Sequence, residues 1–68
     1  MLKSAPPVQR KLAAHVAIDG RPKYLIAALS GMPANVFAGV LSGREPLTPD
    51  RRARIAATLG CTEADLVE

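Results

Sequence analysis

A single cysteine, a single histidine and two aromatic side chains set the first limits on this 68-residue chain. Cys61 has no partner for a disulfide, and Cys61 with His15 is too small a donor set for a protein-only zinc site of familiar spacing. Catalysis would rest on one unassisted histidine, so an enzyme is not expected, and neither is a cofactor or a small-molecule ligand. His15 falls on or beside the apolar face of the first expected helix and reads as a packed side chain. Cys61 reads as a small hydrophobe rather than a reactive thiol. No apolar run is long enough to span a bilayer, and the opening MLKSAPP breaks at Pro6-Pro7 where a signal peptide would stay apolar. Together with the lone thiol, these absences lead to the expectation of a cytoplasmic protein, in a bacterial or phage-infected bacterial cell, with no membrane partner.

With aromatics at 3%, Tyr24 and Phe37 are the only large rings, and the core must come from Leu, Ile, Val and Ala. That composition suits close-packed helices in one small domain, residues 1–68. Pro6-Pro7 is expected to open a first helix, with Ser4 or Ala5 near its cap and Val8, Leu12 and His15/Val16 along one face, running to about Asp19. Gly20-Arg21-Pro22 stops it. A second helix is expected over about 22–29 and a third over about 33–42. Thr48-Pro49-Asp50 combines a hydroxyl cap, a proline at the first helical position and an acid, and predicts a fourth helix over 49–59 that buries Ile55, Ala56 and Leu59. Thr62-Glu63-Ala64-Asp65 reads as a weaker cap before a short fifth helix containing Leu66 and Val67. The expectation is an all-α, compact five-helix bundle without strands.

The stretch LIAALSGMPANVFAGVLS, beginning at Leu25, carries the most information. Ile26, Ala27 and Leu29 form one apolar stripe, and Val36, Phe37, Val40 and Leu41 another, at helical spacing. Gly31 stands between them, where a helix ends in the left-handed conformation that glycine enters without penalty. Helix, tight glycine turn and helix over about 22–42 make a helix-turn-helix unit, whose second helix commonly enters the DNA major groove. The run LIAALSGMPANVFAGVLSGREPLTPDRRARIAATLGCTEADL resembles the phage-repressor and Cro-like (XRE) family. It does so at Ile26-Ala27, Gly31-Met32, Phe37, Val40-Leu41, Ser42-Gly43, Ile55-Ala56 and Leu59-Gly60. The resemblance implies a lambda-repressor-like five-helix fold and sequence-specific operator binding by a transcriptional regulator, often as a dimer.

Charge gives an independent lead. Residues 1–62 hold nine bases against three acids, a balance of +6, while Glu63, Asp65 and Glu68 end the chain. Arg21 and Lys23 begin the second helix, and Arg51 and Arg52 fall in the first turn of the fourth. A cation at a helix N-terminus costs roughly 0.3–1 kcal/mol, a conflict that a DNA phosphate at that terminus would remove. Arg21, Lys23, Arg51 and the loop residue Arg44 are therefore candidate phosphate contacts, with the Tyr24 hydroxyl beside them.

On the third helix, Asn35 is the one side chain able to pair with adenine through two hydrogen bonds, and Ser42 can make a single bond. Ala34 and Ala38 could touch a thymine methyl, and Gly39 could let the backbone come close. The family more often has Ser or Thr at the place of Pro33, Gln at the place of Lys23, and longer polar side chains on this face. Part of the specificity is accordingly expected from DNA shape. The same sparse face leaves two other readings open: a protein-interaction module on this fold, antitoxin-like or adaptor, and a non-specific nucleic-acid binder. A homodimer is expected to use the C-terminal segment, with Leu66 and Val67 exposed.

Overall fold

The computed structural model describes residues 9–67, and among them the chain is all-helical with no strand. Four α-helices follow in order: α1 (Arg10–Asp19), α2 (Lys23–Leu29), α3 (Ala34–Ser42) and α4 (Pro49–Leu59). A 3-10 turn, Glu63–Leu66, closes the fold. The expected fifth helix is thus a four-residue 3-10 segment, and Val67 lies beyond it. Ser4, Ala5, Pro6, Pro7 and Val8, expected at the start of the first helix, lie outside the described residues. Among the described residues that helix begins only at Arg10, with Gln9 before it tied to the end of α3 by its N–H donating to the Leu41 carbonyl at 3.3 Å.

The core is built as helical spacing dictates. Leu12 and Val16 of α1 are one turn apart, as are Phe37 and Val40 of α3, and these meet Ile26 and Ala27 of α2, Ile55 and Ala56 of α4, and Leu66. α1 packs against α3, α4 and the 3-10 turn, and α2 packs against α3 and α4. Val36, Leu41 and Leu59 are only half-buried at its edge.

Leu29 departs from its expected stripe and is 56% exposed. The inward position at the end of α2, four residues after Ile26 and three after Ala27, belongs to Ser30 instead, which is 2% exposed. Its hydroxyl donates to Thr58 Oγ1 at 3.0 Å, and Thr58 Oγ1 donates to the Arg54 carbonyl at 3.1 Å, so a buried polar group is satisfied by linking α2 to α4.

Leu66 corrects a second expectation. It is 0% exposed, inserted between α1 and α4; of the two C-terminal residues offered for a dimer, only Val67 is exposed.

Local chemistry sets the helix ends. Thr48 caps α4, its hydroxyl accepting from the Arg51 N–H at 3.2 Å, with Pro49 in the first turn. Thr62 and Asp65 form a reciprocal capping box around the 3-10 turn, Asp65 N–H to Thr62 Oγ1 at 3.2 Å and Thr62 N–H to Asp65 Oδ2 at 3.0 Å. α2 ends on Gly31, whose φ of +72° is costly for any residue with a Cβ. The Gly31 N–H donates to the Ala28 carbonyl and the Met32 N–H to the Ala27 carbonyl, the paired bonds of a Schellman turn. A Cβ on Gly31 would also stand 2.9 Å from an Arg54 guanidinium nitrogen.

Candidate nucleic-acid interface

The Gly31 turn redirects the chain by 106° between α2 and α3. Phe37 and Val40 hold α3 to the core, which fixes the side it turns outward. Ala34, Asn35, Ala38 and Ser42 are all exposed there, so the four expected base-contacting residues share the open side of one helix. Ser42 is partly committed, because its hydroxyl donates to the Gly39 carbonyl at 3.1 Å. Gly39 is buried rather than open: Glu45 and Arg44 fold back over it, and a Cβ there would lie 2.6 Å from Glu45 Cγ. The backbone approach expected at Gly39 is made by the protein's own loop.

The five expected phosphate contacts divide. Lys23 and Tyr24 open α2 and are exposed, Tyr24 by 67%, and Lys23 has no ion pair among the described residues. Pro22 precedes them and gives α2 no side-chain cap. Arg44 is exposed too, and one Nη2 hydrogen bond, at 3.4 Å, reaches the Asn35 carbonyl.

Arg21 and Arg51 are engaged inside the fold. Arg21 grips Asp19 with two parallel bonds, Nε to Oδ1 at 2.6 Å and Nη2 to Oδ2 at 2.8 Å, and donates from Nη2 to the Thr58 carbonyl at 2.7 Å. It ties the α1–α2 turn to the end of α4. Arg51 donates to the Pro46 carbonyl at 2.8 Å and lies 3.7 Å from Glu45, holding the loop before α4. Both therefore hold the fold together, and Arg21 and Arg51 keep 37% and 28% of their side chains exposed. On α4, Arg52 meets Glu63 at 3.4 Å, and Arg54 meets Asp50 at 3.1 Å.

Titration follows these contacts. The hydrogen bonds from Arg21 hold the Asp19 carboxyl below its ordinary range, and the same contact pushes Arg21 up. Asp65 is lowered by the hydrogen bonds of Thr62, with smaller help from His15 and Lys11. Burial pushes the Cys61 thiol up, with Asp65 adding to it, and Cys61 packs against the core. His15 is half-buried, as expected for a packed side chain.

Sequence reasoning missed Ser30, Thr58 and the Asp19–Arg21 clamp. The Asp-Gly-Arg spacing at 19–21 was a visible signal for the clamp, whereas the Ser30–Thr58 link spans 28 residues and left no local trace. No single helix among the described residues is long and apolar enough to cross a membrane. Comparisons with protein-family models, curated proteins and solved structures find no match to this chain.

Proposed function

We propose that this chain is a sequence-specific double-stranded DNA-binding transcriptional regulator of the phage-repressor or Cro type, occupying an operator with α3 in the major groove. The observation that carries this reading is the α2–α3 pair. Its 106° change of direction falls within the roughly 90–120° of helix-turn-helix units, and its connection, 30–33, is four residues long and contains glycine. α3 then presents Ala34, Asn35, Ala38 and Ser42 on one open side. Lys23 and Tyr24, exposed at the start of α2 where no side chain caps the helix, support a backbone contact of the kind the preceding helix of such units makes.

The test is selection from random duplex DNA at physiological salt, with the bound pool sequenced. An enriched motif supports operator recognition, and a two-fold motif indicates a homodimer spanning half-sites about one helical turn apart. Asn35→Ala is expected to relax the preference at one base pair at a cost of about 1–3 kcal/mol on the selected site. A retained pool that stays random supports backbone attachment alone.

A protein-interaction module is the second reading. Ile18 and Leu29, 82% and 56% exposed, favour it, because large apolar side chains in water are more useful against a partner protein than against phosphate. Failure to retain any DNA would move the assignment to that reading.

A further inference from the structure

α3 is short of long polar side chains, and the loop after it supplies one. Gly39 has no side chain, and the space beside it is filled from the loop that follows: Glu45 donates its N–H to the Gly39 carbonyl at 3.0 Å. That bond folds the loop back along α3. The Arg44 guanidinium then lies across Gly39, 3.2 Å from where a Cβ would stand, and reaches the Asn35 carbonyl one turn nearer the start of the helix. Arg21, Arg51, Arg52 and Arg54 each have a carboxylate within 4 Å, whereas the contact recorded for Arg44 is one long bond to a neutral, exposed carbonyl. The nearby Glu45 carboxylate is directed to Arg51. Arg44 therefore keeps most of its five N–H donors, with no carboxylate partner among the described residues, beside Asn35, the side chain on α3 able to make two hydrogen bonds to a base.

We propose that Arg44 is a base-reading residue and not a backbone contact: its fork takes guanine O6 and N7 in the major groove, next to the base met by Asn35. The proposal rests on the DNA-binding reading above and adds what that reading leaves open, the source of direct readout on a helix armed with little more than Asn35. Because the guanidinium sits at the Asn35 backbone, and base pairs rise about 3.4 Å per step, the guanine lies within about two base pairs of the position Asn35 reads.

The experiment is selection from random duplex with the wild-type chain, then salt-dependent binding of Arg44→Ala, Arg44→Lys and Gly39→Ala to the selected site and to versions substituted at each base pair. Thermal melts confirm that each variant is folded. Expected is a guanine in the selected motif, with Arg44→Ala losing roughly 10- to 100-fold of the discrimination at that position alone. Arg44→Lys keeps the charge and the salt dependence but loses the fork, and most of that preference. Gly39→Ala, whose Cβ would meet Glu45 Cγ at 2.6 Å and press on the guanidinium at 3.2 Å, shifts the loop that carries Arg44 without changing any charge, and loses the same preference.

Arg44→Ala weakening all sequences equally, with a salt slope smaller by about one unit, overturns the proposal in favour of a phosphate contact. Unchanged discrimination in every variant overturns it as well. A wild-type protein that selects no motif overturns the operator reading together with this one. A motif that persists in all variants removes only Arg44.

Discussion

Arg21 and Lys23 stand two residues apart with the same charge, yet their surroundings give them different work. Arg21 is clamped by Asp19 and the Thr58 carbonyl, while Lys23 projects from the start of α2. Arg21→Ala is expected to lower the melting temperature and leave the salt dependence of DNA binding unchanged. Lys23→Ala is expected to leave the melt nearly unchanged and reduce the log–log salt slope by about one unit, equally across sequences. Matching behaviour in the two variants would show that the assignment is wrong. The clamp also sets a pH dependence. Asp19 and Asp65 titrate below the ordinary 3.8 when folded, so the unfolded chain takes up protons first as pH falls. Their contribution is fully present above about pH 4 and is lost as pH drops through the folded values. Melts between pH 6 and pH 2 should therefore fall steeply below about pH 4, and less steeply for Asp19→Asn, which starts lower at neutral pH. From sequence, Arg21, Lys23 and Arg51 were equivalent candidates, because what separates them is the partner. Glu63 reaches Arg52 from eleven residues away and only through the packing of the 3-10 turn.

Elements were legible where their ends are set by adjacent residues. α4 occupies 49–59 as expected because Thr48, Pro49 and Gly60 encode its start and stop without help from the rest of the fold. The Gly31 turn was readable for the same reason. The last element was less so. Thr62 and Asp65 announce a cap, but a 3-10 rather than an α continuation follows where Leu66 enters the core, a tertiary effect. Gly39 was misjudged in the same way: its helical position is outward by sequence, and only the returning loop buries it. Since the α4 cap is local, its effect should be too. Thr48→Ala removes the acceptor of the Arg51 N–H and is expected to cost about 1 kcal/mol in a denaturant melt, with helix content retained. An unchanged midpoint would mean that Pro49 and Asp50 suffice to start α4.

At the scale of the molecule, nine buried apolar side chains among the described residues, drawn from every element, carry the fold, and there is little reserve. A chain of this length is expected to hold about 3–10 kcal/mol in all. Phe37 joins α3 to the core at 1% exposure, and Leu66 pins the C-terminal turn between α1 and α4 at 0%. Phe37→Ala should cost about 3–5 kcal/mol and Leu66→Ala about 2–5 kcal/mol, each a large share of that total. Val67→Ala, one residue further on and 46% exposed, should leave the melt almost unmoved. The Leu66/Val67 pair separates packing within one chain from contact between two. If the C-terminal segment served a dimer alone, Leu66→Ala would lower the self-association measured by sedimentation while sparing the melt at high dilution. Burial of Leu66 demands the reverse, a melt lowered at every protein concentration, and leaves any dimer of this protein to surfaces other than that side chain.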